Sequence, residues 1–325
     1  MELYPLKLKS ELKNIIWGGT LLSERYHKDN GGEPIAEAWT LTMRPDGVNV
    51  IENGEAKGKT LQEYINLLGE TNVCGKEFAA FPLLIKLIDA HDDLSVQVHP
   101  DDAYAHAHGL DAGKTEMWYI VEAEKGARIV YGLDKSKNPT DDDLKNAAKE
   151  GTLDQYLNYV PVKAGDVYFI PAGLIHAIGK GILIAEVQQN SNTTYRLYDY
   201  NRTDKRGNTR PLHVEQALEV IKRNLPDDSF APAEPVYTEF GVYRTLTDCD
   251  FFAVSMITLR PFCKMSINGG VMLHILCTDG NGKISFHGEE YLLLKGESYL
   301  IPAGMGDFTL LSESNDFYAV VSMSK

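Results

Sequence analysis

Apolar and polar residues alternate in short bursts along most of the chain. Leu83 to Ile88, Met117 to Val121, Arg128 to Tyr131, Val167 to Ile170 and Ile182 to Val187 are rich in Val, Ile, Tyr and Phe. Gly, Asp or Pro punctuate them, the pattern of short antiparallel strands in a sandwich or barrel. Helical spacing is confined to four stretches: Thr60 to Leu68, Pro100 to His108, Asp141 to Tyr156 and Pro211 to Asn224. Prolines and acids break the pattern between Asn224 and Thr238, which marks a linker.

The two sides of that linker share a weak internal repeat. The segment from Ala164 to Gly173 (AGDVYFIPAG) matches that from Lys295 to Gly304 (KGESYLIPAG), and the strand and turn of Met117 to Tyr131 resemble Leu273 to Phe286. A turn, a buried strand and a second turn in the form Gly-[Asp/Glu]-x-x-x-[Ile/Val]-Pro-x-Gly is the signature of a cupin-type jelly roll. The expected fold is therefore all-β, with two cupin-type jelly-roll barrels and a few short helices inserted in the N-terminal one. The first copy carries an insertion at about residues 134 to 158 that reads as helix. The expected divisions are a catalytic, metal-binding domain at 1–225, a linker at 226–238, and a degenerate C-terminal barrel without metal at 239–325.

Composition changes this picture little, and charge narrows it. Hydrophobic residues make up 43% and charged residues 24%, as in ordinary globular chains. Forty-six acids against 32 bases leave a net charge of −14, which argues against nucleic acid or an anionic membrane as partner. The first nine residues contain an early acid and a proline rather than an apolar signal core, and no run approaches a membrane span. The four cysteines form no C-x-x-C pair and read as free thiols. The expectation is a cytoplasmic monomer or homodimer.

Candidate chemistry gathers in the first repeat. Alternation in Ser95-Val96-Gln97-Val98-His99 sends Ser95, Gln97 and His99 to one face. Glu116 opens an apolar strand, and His176 follows the Pro171-Ala172-Gly173 turn by three residues. Two imidazoles, one carboxylate and the Gln97 amide form an N/O donor set with an open position. Such a set suits Zn²⁺, with other divalent ions possible. In the repeat alignment Glu116 falls on Met272 and His176 on Asp307, so the second copy keeps the fold and lacks the ligands.

Along most of its length the chain resembles type I mannose-6-phosphate isomerases of the short bacterial two-cupin form. The matching blocks are Ile16 to Gly19, Pro34 to Trp39, Phe81 to Lys86, Gln97 to Pro100, Gly113 to Trp118, Pro171 to His176, Glu186 to Ser191 and Thr193 to Tyr200. The resemblance implies interconversion of mannose 6-phosphate and fructose 6-phosphate. It implies one zinc per chain on Gln97, His99, Glu116 and His176. Lys86, Lys114, Glu186 and Arg196 become the catalytic set, with Glu37 and Ser95 around the substrate. One departure is Asn192, where the family often has aspartate.

Moving a carbonyl from C1 to C2 passes through an enediolate whose charge needs cations nearby. The general base is left open among Lys114, Glu186 and a metal-bound water. A cupin dioxygenase and a non-catalytic sugar-binding cupin are the rival readings. Elsewhere the plain readings hold: Trp17, Trp39 and Trp118 as core, His106 and His108 as exposed, and Arg202, Lys205, Arg206 and Arg210 as a solvated basic loop.

Overall fold

The computed structural model describes residues 2–203, 206–223, 232–313 and 315–325. Two β-barrels, each built of two facing sheets, occupy the two halves of the chain. In the first, Val167–Ile170, Glu116–Ala123, Ile182–Gln189, Leu83–Ala90, Glu37–Leu41 and Glu11–Lys13 form one sheet in that order. Leu157–Pro161, Arg128–Leu133, His176–Ile178, Val96–Val98 and Tyr195–Tyr198 form the other. The expected strands are all present, mostly extended by one or two residues.

The helices are shorter than their apolar periodicity suggests, because capping residues set their ends. Asp101 accepts the Tyr104 N–H, so that helix starts at Asp102 rather than Pro100. Thr140 and Asp143 form a capping box, and Gly151 in the left-handed region (φ 75°) ends Asp141–Glu150 before a 3-10 turn at Leu153–Tyr156. The last helix covers only Val214–Val220.

Strand alternation sorts the side chains of the first barrel into three zones. Leu83, Ile85, Leu87, Met117, Leu183, Ala185 and Val187 point outward and pack against Leu6, Leu8, Val254, Leu276 and Leu300 of the second sheet system. Ile88, Trp118, Ile120, Ile170, Ile178, Ile182 and Ile184 fill one end of the barrel interior. Val96 and Val98 face away from that interior, onto the helices that carry Leu144, Ala147 and Ala217. What remains is the other end of the interior, and there the inward positions are polar.

The repeat is visible in the ladders. Ile170 pairs with Glu116 in the first barrel, and Ile301 pairs with Leu273 in the second. The ladder therefore sets Glu116 against Leu273, one residue from the Met272 of the sequence alignment. Asp307 stands in a turn, where its Oδ1 accepts the Gly269 N–H at 2.8 Å.

The course of the chain differs from a simple division at 225 and 238. Leu6–Lys9 pairs antiparallel with the strand Ser298–Ile301 and also with Val50–Ile51, so these N-terminal segments lie in the sheet of the C-terminal half. Val236–Tyr237, within the expected linker, pairs with Tyr243 and Val242 as an edge strand. Residues 226–231 of that linker lie outside the described residues. The Ser298–Ile301 partner of Leu6–Lys9 is some 290 residues away, and nothing local in Leu-Lys-Leu-Lys announces it.

Candidate active site

Seven strands and the loop before Glu116 bring the predicted residues to the polar end of the first barrel. Glu116 begins its strand, opposite Gln188 on one side and Ile170 on the other. His176 begins another and lies in register with Gln97, which in turn lies in register with Arg196. Side chains at registered positions share a sheet face. His99, just past Val98, completes the wall, so the predicted common face of Ser95, Gln97 and His99 is what folds.

His99, Glu116 and His176 bring one ligand atom each to within 4.8 Å of one another, and all three are buried. The His99 and His176 Nε2 atoms are 3.1 Å apart. His99 Nε2 lies 3.3 Å from Glu116 Oε1, and His176 Nε2 lies 3.7 Å from Oε2. Each imidazole is oriented from behind: His99 Nδ1–H donates to the Thr193 carbonyl and His176 Nδ1–H to the Leu174 carbonyl, both at 2.8 Å. That assignment leaves both Nε2 atoms as lone pairs directed at each other and at a carboxylate. Among the described residues, no well-aligned hydrogen bond reaches either oxygen of the buried Glu116, and its charge is met by the Lys114 ammonium, 2.5 Å from Oε1.

Such a constellation of acceptors fits a divalent cation, with carbonyl-oriented imidazoles as supporting groups. Gln97 Nε2 is 3.4 Å from His176 Nε2, so the amide borders the cluster as well. Burial and the Lys114 ammonium push the His99 imidazole down to about 3, and burial lowers His176, which keeps both neutral and able to ligate. Burial disfavours the charge of Glu116, but Lys114 and the imidazoles outweigh it and hold the carboxyl well below its usual range.

Two lysines enter from opposite sides. Lys114 Nζ stands 2.5 Å from Glu116 Oε1 and 3.2 Å from His99 Nε2. Lys86 sits on a central strand and is 3% exposed, so its ammonium stays inside the barrel rather than in solvent at a sheet edge. Its Nζ is 3.0 Å from Glu186 Oε1 and 3.6 Å from Glu37 Oε2. Burial opposes the Lys86 charge, yet Glu186 and Glu37 raise it above the usual lysine value. Burial and the Glu116 charge raise the Glu186 carboxyl, against the two lysines.

The remaining predicted residues lie toward the opening. Glu37, Gln97 and Arg196 are half-buried, while Ser95 is buried. Arg196 Nε donates to Ser95 Oγ at 3.3 Å and Nη1 to the Pro211 carbonyl at 3.0 Å. All ten predicted residues thus line one end of one barrel, with Arg196 separated from His176 by the Gln97 strand. The basic loop is less free than the sequence implies: Arg202 and Arg210 clamp the buried Asp199 carboxylate. Lys205 lies outside the described residues.

Several contributors escape a sequence reading. Trp39 and Trp118 are core residues as expected, but their indole N–H groups donate to Glu37 Oε2 at 2.6 Å and Glu186 Oε2 at 2.9 Å. Thr193 and Leu174 act through backbone carbonyls, which carry no side-chain signal. Asn192 donates to Asp46 Oδ2 at 3.2 Å on the exposed rim, where an aspartate would meet a like charge.

Comparison with known proteins extends these observations. Residues 5–130 match the model of the phosphomannose isomerase type I catalytic domain, and residues 243–318 match that of the mannose-6-phosphate isomerase cupin domain. A mannose-6-phosphate isomerase of Streptococcus mutans serotype c is 39% identical over 305 residues, covering 92% of each chain. Mannose-6-phosphate isomerase ManA of Bacillus subtilis is 38% identical over 316 residues, covering 95% of this chain and 96% of its own. The crystal structure of a Bacillus subtilis mannose 6-phosphate isomerase superposes with a TM-score of 0.89 at 32% identity, covering 98% of this chain and 99% of that one.

Proposed function

The chain belongs to the type I phosphomannose isomerase family, and from that membership we propose a metal-dependent route between mannose 6-phosphate and fructose 6-phosphate through an enediolate. The observation that carries this reading is the pair of buried imidazole Nε2 atoms, 3.1 Å apart and facing Glu116. His99, Glu116 and His176 would hold one divalent ion per chain, zinc by the donor set, with the Gln97 amide available as a further ligand. When bound, the ion polarises the sugar carbonyl and offsets charge on its oxygen.

The protein's own groups do the rest. Glu186, whose carboxyl is raised by burial and by Glu116, is the group best tuned to take the proton from the carbon beside the carbonyl and return it to the neighbouring carbon. Lys86, paired with Glu186 and Glu37, stays protonated at neutral pH and therefore serves as a cation rather than a base. Lys114 supplies a second cation beside the developing oxyanion. Arg196 and Ser95, joined by a hydrogen bond at the mouth, receive substrate oxygens in the planar fork of the guanidinium.

No helix among the described residues is long and apolar enough to cross a membrane. Cys74, Cys249, Cys263 and Cys277 are all free. We place the protein in the cytoplasm on that thiol usage, as a monomer or homodimer.

The test is a coupled assay that offers mannose 6-phosphate and glucose 6-phosphate separately to zinc-loaded protein. Turnover of the first and not the second supports the reading. Failure of folded, zinc-loaded protein to convert mannose 6-phosphate would overturn it.

A further inference from the structure

Lys114 sits on a loop, which is a poor platform for a long, flexible side chain. Three successive N–H groups of that loop are nevertheless tied down. Gly113 N–H donates to Asp102 Oδ1 at 2.8 Å, Lys114 N–H to the Pro100 carbonyl at 2.9 Å, and Thr115 N–H to Gln189 Oε1 at 2.9 Å. The same Gln189 amide donates from Nε2 to Asp102 Oδ1 at 3.2 Å and to Oδ2 at 3.3 Å. Its backbone N–H reaches the Thr115 carbonyl at 3.1 Å. The contacts close a ring through Asp102, Gly113, Lys114, Thr115 and Gln189. The loop also lies hard against the helix start, since a Cβ on Gly113 would stand 2.4 Å from the Asp102 nitrogen.

From this ring we infer that Gln189, acting with Asp102, is a positioning residue that sets the place of the Lys114 ammonium. The inference rests on the reading of Lys114 as a cation facing the substrate. Gln189 ends the strand that also carries Glu186, so one strand fixes both the proposed base and the loop of the proposed cation. The ring has a donor order that only certain pairs of residues satisfy. The 189 side chain must accept from Thr115 and donate to 102, while the 102 side chain must accept from both Gly113 and 189.

The order can be inverted on paper. In Asp102→Asn/Gln189→Glu, the glutamate still accepts from Thr115, the asparagine oxygen still accepts from Gly113, and the asparagine amide donates to the glutamate. Gln189→Glu alone sets two carboxylates against each other, and Gln189→Leu removes the ring bonds without a titrating group.

The experiment measures kcat and KM for mannose 6-phosphate at pH 8, with a melting curve for each variant. Gln189→Leu and Gln189→Glu should each lower kcat roughly tenfold or more, the scale of misplacing a group by a fraction of an ångström. Asp102→Asn/Gln189→Glu should return kcat to within about threefold of wild type, a rescue that general stabilisation does not produce in this direction. Wild-type kcat in Gln189→Leu, or a double variant no more active than Gln189→Glu, overturns the inference. Lys114→Met separates the two levels. If it keeps wild-type kcat, the role of Lys114 falls and this inference with it. If it is inactive while Gln189→Leu is active, only the positioning role falls.

Discussion

The two barrels answer the same ladder position in opposite ways. Opposite Ile170 stands Glu116, ion-paired with Lys114 and flanked by two imidazoles. Opposite Ile301 stands Leu273, packed among Ile257, Ile275, Cys277, Ile284 and Phe317. One backbone arrangement therefore supports, at this position, either a cluster of mutually dependent charges or an apolar core. The second barrel shows that the fold needs no polar cluster, so the buried acceptors of the first are a cost to stability. A bound cation is the direct way to offset that cost.

Removing a ligand should break the comparison most severely. His99→Ala or His176→Ala is expected to lose tight zinc binding and essentially all isomerase activity, with elemental analysis falling from about one zinc per chain toward none. Two tightly held ions per wild-type chain would mean that the second barrel is not the empty counterpart described above.

The converse change moves the polar group into the apolar barrel. Leu273→Glu should destabilise the protein by about 4 kcal/mol or more, because the carboxylate finds no lysine or imidazole partner among Ile275, Cys277 and Phe317. Denaturant unfolding measures it. A change below about 1 kcal/mol would show that the second interior tolerates charge as the first does.

Arg196→Lys keeps the charge and removes the fork. We expect fold and metal to survive while roughly 2–4 kcal/mol of transition-state stabilisation is lost, mainly in kcat. A rise in KM alone would make Arg196 a phosphate anchor, and wild-type values in both would place it outside the chemistry.

Protonation offers a milder contrast. His274, in the second barrel, points between the barrels, with Nε2 3.3 Å from the Thr40 carbonyl, and burial holds its imidazole down to about 3. In the unfolded chain an imidazole titrates near ~6.5. Between those values the unfolded state binds a proton that the folded state does not, so stability is full above pH ~6.5 and declines as pH falls toward about 3. His274→Gln should flatten that decline in melting temperature while leaving activity at pH 8 intact.

Asp307→Ala should have the smallest effect. It removes an acceptor for the Gly269 N–H, worth about 1 kcal/mol, and should leave specific activity nearly unchanged. A hundredfold loss in a folded, metal-loaded variant would contradict the contrast between the barrels.

Much of this site was legible because strand periodicity is local. Ser95, Gln97 and His99 share a face by alternation alone, Glu116 is marked by opening an apolar strand, and His176 by its place just after the repeated turn. The repeat also exposed the second barrel as a natural control, although its alignment ran one residue off at Met272, since a gapped repeat does not fix register and a hydrogen-bond ladder does. What stayed hidden acts at a distance in sequence or through the backbone. Thr193 orients His99 by a carbonyl, Trp118 donates to Glu186 across 68 residues, and Gln189 accepts from Thr115 across 74. No spacing rule links such residues.

The pairing of Leu6–Lys9 with Ser298–Leu300 has a consequence for the order in which the chain assembles. Every ladder between Glu37 and Tyr198 in the first barrel can close while synthesis is still under way. The ladder between Leu6–Lys9 and Ser298–Ile301 cannot, because its two strands lie some 290 residues apart. Closing so long a loop is slow, and until it happens Leu6–Lys9 has a ladder partner on one edge alone, Val50–Ile51. The outward row of Leu83, Ile85, Leu87 and Val187 also waits bare for its cover. A nascent or C-terminally truncated chain should therefore hold a nearly complete pocket on a sticky, uncovered back. In that light the second barrel is a late-arriving cover for the apolar back of the first, latched by the ladder between Leu6–Lys9 and Ser298–Ile301.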